Sequence, residues 1–155
     1  MQLSKEHHVI VPLGNKEIEF IEAAASDFSM HTYQVIAIYD LVAGFFYEKH
    51  RNIFDDIFGQ HQLTEKQSSP NKVRAYISKS RFQYLKELAT EIEISPTFLL
   101  RRNIIVGMRI YLERQALFWD VFHQVMALFS QIKKNGKSLY DYHKEIYELI
   151  HVKDV

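Results

Sequence analysis

The sequence predicts a mainly α-helical protein carrying a short two-stranded antiparallel β-ribbon, and three observations predict it. KVRAYIS, residues 72–78, alternates apolar and polar side chains, the period of a half-buried strand. About forty residues of helical spacing follow it. The chain also matches itself, without a gap, at an offset of 64 residues. At 155 residues it falls in the range of one domain and is long enough to bury a real core.

In the strand, Val73, Ala75 and Ile77 share one face, while Lys72, Arg74, Tyr76 and Ser78 share the other. From Ser80 the period lengthens, and Phe82, Leu85, Leu88, Ala89 and Ile92 line one side of a helix. EIEISPT interrupts it. Ser95 then reads as an N-cap with Pro96 at the first helical position, where the missing proline N–H costs nothing. The second helix runs from Pro96 through Glu113, its apolar pattern continuing toward Ser130.

At the offset, Val9, Val11 and Leu13 fall on Val73, Ala75 and Ile77, and Ile18, Ile21 and Ala25 on Phe82, Leu85 and Ala89. The broken stretch DFSMHT lies on EIEISP. The expected organisation is therefore a first unit over 1–50, a connector over 51–71, a second unit over 72–113 and a C-terminal helical extension over 114–155. The connector opens with residues that suit a short helix and ends in linker-like TEKQSSPN. The extension comprises a helix, the turn KKNGKS and a last helix capped by Ser138, with no counterpart in the first unit.

Composition is that of an ordinary globular chain, 47% hydrophobic and 25% charged, with an aromatic content of 14%. Cysteine is absent, which excludes disulfides, thiolate zinc sites and cysteine nucleophiles and suits a reducing cytoplasm. No leader-like segment or membrane-length apolar run is present. The zero net charge conceals a segregation. Residues 1–69 hold five Lys/Arg against ten Asp/Glu, and residues 70–114 hold nine against four. A basic segment of this kind is an electrostatic footprint for an anionic partner.

VRAYISKSRFQYLKELATEIEISPTFLLRRN resembles the ribbon–helix–helix family of the Arc and methionine repressors, with Glu93 where members usually carry a turn glycine. A lone strand cannot satisfy its ribbon hydrogen bonds, so such units work in pairs, their strands antiparallel over a shared helical core. The layout is similar to that of tandem accessory DNA-binding proteins of conjugation. The resemblance implies a ribbon in the major groove of double-stranded DNA, with Lys72, Arg74 and Tyr76 turned toward base edges. It also implies phosphate contacts from Lys79 and Arg81, and a phosphate at the N-terminus of the second helix near Ser95 and Thr97. The first unit offers His8, Ile10 and Pro12 at its outward positions, which suits a structural partner. Alternatively, the second units of two chains pair into a symmetric basic ribbon.

Other constellations carry less. Arg101 and Arg102 read as a solvated helix face or partners of nearby Glu. Phe118, Trp119 and Phe122 read as core or as anchors of an oligomer or protein-partner interface. Asp120 with His123, and Glu148 with His151, have the i, i+3 spacing of carboxylate-bridged metal bundles, but Asp replaces Glu in one pair and the chain is short of the long helices such a bundle needs. No phosphate loop, dinucleotide fingerprint or nucleophile elbow occurs. The expectation is a non-enzymatic, cofactor-free, sequence-specific DNA-binding protein, a repressor or a plasmid-transfer accessory. The competing expectation is a protein-interaction module with a degenerate form of the same fold.

Overall fold

The computed structural model describes residues 6–61 and 71–132, a mainly helical chain with one two-stranded antiparallel sheet. The order is β1 (Glu6–Leu13), α1 (Asn15–Phe28), α2 (Thr32–Lys49), α3 (Arg51–His61), β2 (Asn71–Ser78), α4 (Lys79–Ile92), α5 (Pro96–Glu113) and α6 (Gln115–Ile132). The linker-like end of the connector and the helix expected after Ser138 lie outside the described residues.

The two strands pair with each other, within one chain. Their register runs from Glu6 opposite Ser78 to Leu13 opposite Asn71. Ile10 faces Arg74, and this is the one pair whose members are also 64 residues apart. The sequence repeat and the strand register thus share one local twofold axis, which passes between Ile10 and Arg74. Pro12, which removes a ladder donor, sits one position from the end of β1, where its loss is tolerated. Val9, Val11 and Leu13 on one strand, and Ala75 and Ile77 on the other, are buried against the helices.

The same axis orders the helices. Both first helices end on a residue in left-handed conformation, Ser29 at φ 54° and Glu93 at φ 62°, again 64 apart. In each, the next N–H reaches back to the carbonyl five residues earlier, Met30 to Ala25 and Ile94 to Ala89, both at 2.9 Å. The Ser29 and Glu93 N–H groups donate to Ser26 and Thr90. This Schellman arrangement satisfies two otherwise open carbonyls. It stands despite the absence of glycine, whose substitution by an L-residue here costs roughly 1–2 kcal/mol.

Helix starts follow local chemistry. The Gly14 N–H donates to Glu17 Oε1 at 2.8 Å and the His31 N–H to Gln34 Oε1 at 2.9 Å, each the backward half of a capping box. Ser95 caps α5 as expected, its Oγ accepting from the Phe98 N–H at 3.1 Å.

Helices α2 and α5 form the centre. Every residue of α2 from Val35 to Phe46 is buried, as is every residue of α5 from Leu99 to Met108. Such all-round burial belongs to the inside of a fold, here with Asp40, Arg101, Arg102 and Asn103 as the polar exceptions, and the two helices cross over each other. The approach is closest at Gly107, where an added Cβ would lie 2.2 Å from the backbone oxygen of Tyr39. Its counterpart 64 residues earlier, Ala43, is also fully buried.

Two expectations change here. Helix α5 does not run on toward Ser130; it stops at Glu113, and Arg114 (φ −138°, ψ 58°) turns the chain into α6. His50 (φ −139°, ψ 54°) does the same between α2 and α3. The start of the C-terminal extension therefore does have a counterpart, α3, in the stretch expected as a connector. Aromatic residues repeat with it. Tyr47, Phe54 and Phe58 recur as Tyr111, Phe118 and Phe122, and the first ring pair of each set is edge-on at 5.2 Å and 5.1 Å. Each half is thus a strand followed by three helices.

Candidate nucleic-acid interface

The outer face of the ribbon is formed by alternate residues of both strands, because side chains switch face at every step. On β2 this row contains Lys72 and Arg74, both exposed. Tyr76 belongs to the same row and its backbone pairs with His8, but its side chain lies outside the described residues. Opposite them on β1 stand Ile10, 43% exposed, and Pro12, half-buried. Neighbouring same-face positions along a strand are roughly 7 Å apart, so Lys72 and Arg74 offer two cations side by side. Lys79 is exposed at the first residue of α4, just past the strand end. Asn71 and Asn15 tie the opposite end of the ribbon, with the Asn71 amide donating to Asn15 Oδ1 at 2.6 Å.

Ser95 is exposed and Thr97 half-buried at the start of α5. The Ser95 hydroxyl is already committed to the Phe98 N–H.

Arg81 requires a correction. Expected as a phosphate contact, it is fully buried and bound to Asp40, equally buried, on α2. Arg81 Nε donates to Asp40 Oδ2 at 2.8 Å, and Nη2 to Oδ1 at 2.6 Å. The Asn103 amide, from α5, donates to the same Oδ1 at 2.9 Å. Two parallel bonds between a guanidinium and a carboxylate are among the strongest polar contacts a protein makes. Because the group is committed to the core, no cation remains there for a phosphate. The alternating pattern of the strand ends at Ser78, and Arg81 falls on the inner side of α4, next to Phe82 and Leu85. Residues three to four apart on a helix share a face, so Arg81 with Leu85 and Leu88 was the readable signal.

Arg101 and Arg102 are not on a solvated face either; they are 3% and 5% exposed. The Arg102 guanidinium lies over the rings of Tyr47 and Phe54, 4.7 Å and 4.8 Å from their centroids. Such cation–π contact supplies part of what burial removes. Burial lowers the pKa of both arginines, opposed at Arg101 by the charge of Glu17 and at Arg102 chiefly by Tyr47.

Phe118 is likewise corrected as a partner anchor: it is fully buried in the chain's own core, edge-on to Tyr39 and Tyr111. Trp119 and Phe122 are half-buried and both pack on Phe28, at 5.3 Å and 6.4 Å between centroids. Their rings hold α6 to the end of α1.

Among the described residues, no group of three or more His, Asp or Glu side chains could hold a metal, and no helix is long and apolar enough to cross a membrane. Asp120 and His123 are both exposed, while Glu148 and His151 lie outside the described residues. No family model matches this chain, nor does any curated protein or solved structure.

Proposed function

We propose that the chain is a tandem ribbon–helix–helix protein that binds double-stranded DNA, laying its ribbon in the major groove. The observation that carries this reading is the exposed Lys72 and Arg74 on a two-stranded ribbon whose other face is buried. A major groove about 12 Å wide admits such a ribbon. Arg74 reads a guanine edge, Lys72 adds a second base or phosphate contact, and Lys79 fixes the backbone. The start of α5, near Ser95 and Thr97, takes a phosphate through the positive end of the helix dipole and the Thr97 N–H. With the charged readers on one strand alone, the preferred site is asymmetric. Regulation of transcription or of plasmid transfer is the setting that fits such a protein.

The test is selection of bound duplexes from a random pool, followed by a salt series on the selected site. With two to three phosphate charges neutralised, affinity falls roughly 10- to 50-fold between 50 and 200 mM salt. Arg74→Ala weakens the selected site by about 1–3 kcal/mol and random duplex far less. No enriched motif and no binding at low salt would overturn the reading. Ile10, apolar and exposed at the centre of the ribbon, favours a second one, in which the same face docks a protein. A pull-down dependent on Ile10 but unaffected by Arg74→Ala would support that alternative.

A further inference from the structure

The buried charges in the helical core are distributed between the halves in a manner that bears on which surfaces can pair. Asp40 lies in the first half, while Arg81 and Asn103 lie in the second, so their network crosses the internal interface. A second influence across the interface has the opposite polarity and is electrostatic alone: the charge of Glu17, on α1, opposes the lowering by burial of the Arg101 pKa, on α5. The 64-residue repeat makes Glu17 the counterpart of Arg81, Ile104 that of Asp40, and Ala37 that of Arg101. Each helix α1 or α4 thus faces the central helix of the other half with a charge matched to what it meets there.

Pairing like with like destroys the match. Were the first halves of two chains to associate, Glu17 of each would face Asp40 of the other, one acid against another. Were the second halves to associate, Arg81 would face Ile104 and Arg101 of its mate, a buried cation against a hydrocarbon and a second cation. A buried charge deprived of its partner is strongly unfavourable, whereas a matched one is tolerated. Discrimination between partners often comes from such penalties on the wrong complex.

We propose that Asp40, Arg81, Asn103, Glu17 and Arg101 form a pairing code: the first half accepts only a second half, and the symmetric ribbon of two β2 strands is excluded. This inference does not depend on what the ribbon binds.

The ribbon register supplies a direct readout. The local axis passes between positions 10 and 74, so pairing of two second halves places residue 74 opposite residue 74. Adjacent antiparallel partners have Cα atoms about 4.5–5.5 Å apart, within disulfide reach. The native chain has no cysteine, so Arg74→Cys is a single-thiol reporter. Lys72→Cys, on the same face but off the axis, reports random collision. Oxidation is carried out on the full chain at about 1 mM, near the effective concentration of a tethered half, where tethering alone no longer suppresses exchange.

With native core charges, Arg74→Cys should link chains no more than Lys72→Cys does, while Ile10→Cys with Arg74→Cys closes a bond within one chain. Asp40→Arg with Arg81→Asp makes both like pairings complementary. The introduced guanidinium at position 40 then meets Glu17 of the other chain, and the introduced carboxylate at position 81 meets Arg101. In that background the dimer linked through position 74 should rise about tenfold over the collision control. If the exchanged chain loses its helical circular dichroism, Asp40→Leu with Arg81→Met, which deletes both charges, serves in its place with the same expected direction. Preferential linkage at position 74 with native charges, or no rise in either altered background, would overturn the code.

Discussion

The crossing of α2 and α5 sets the spacing of the whole core, and Gly107→Ala probes it directly. The added methyl would lie 2.2 Å from the Tyr39 carbonyl oxygen and 2.8 Å from its carbonyl carbon and Cα, against 3.4–4 Å for ordinary contact. All three obstructing atoms are backbone, so no rotamer change relieves the clash; the helices must part by about 1 Å. Overpacking of a filled core costs about 1–3 kcal/mol, and a rigid obstruction puts this site near the top of that range. For a chain of this size, about 3 kcal/mol corresponds to a fall in Tm of roughly 6–12 °C. Gly59→Ala is the matched control: nothing lies within 4 Å of its added methyl, in the interior of α3. It should gain about 0.5–1 kcal/mol from the lower entropy of the unfolded chain. Urea unfolding followed by circular dichroism measures both. A Gly107→Ala protein within about 0.5 kcal/mol of its parent would refute the close approach and with it the account of how the two halves are held.

Glycine at the left-handed caps should stabilise: Ser29→Gly and Glu93→Gly each raise the urea midpoint, by about 1 kcal/mol in free energy, because φ near +60° carries no Cβ penalty for glycine. Arg81→Ala leaves Asp40 charged and buried and should cost about 3–5 kcal/mol by the same assay, far more than removal of a surface cation. Among the described residues the Tyr39 hydroxyl is buried without a hydrogen-bond partner, so Tyr39→Phe should be neutral or stabilising by about 1 kcal/mol. Burial raises the pKa of Tyr39 and of Tyr111. Their contribution is therefore fully present below about pH 10, the ordinary tyrosine value, and declines as pH rises beyond it, because the unfolded chain ionises first. Tyr39→Phe should make that alkaline decline shallower in pH-dependent thermal melts.

Much of the architecture can be read from the chain because it depends on periodicity. Val73, Ala75 and Ile77 announce a strand face, Phe82, Leu85 and Ala89 a helix face, and Ser95-Pro96 a helix start. The join between α5 and α6 could not be read that way. Arg114 carries no glycine or proline signal, and apolar residues continue on both sides of it. Only the aromatic spacing of Tyr47, Phe54 and Phe58, repeated at Tyr111, Phe118 and Phe122, gives the third helix away. Charges were the harder part. Arg74 and Arg81 are alike as residues, yet one is exposed on the ribbon and the other sealed against Asp40, a partner 41 positions distant. Local sequence contains helix faces but not the carboxylate waiting on another helix, and Arg101 and Arg102 were obscured for the same reason.

The ribbon has a temporal consequence. Ile10 and Arg74 emerge from the ribosome 64 residues apart, which at about 5–20 residues per second leaves the first strand waiting roughly 3–13 seconds for its mate. Throughout that interval Val9, Val11 and Leu13 have no ladder to join, and a nascent neighbour on the same messenger offers an identical strand. Pro12, with no N–H to lend, makes β1 a poorer template for that wrong encounter. The residue least suited to contacting a ligand thus has a role during synthesis, before the second strand exists.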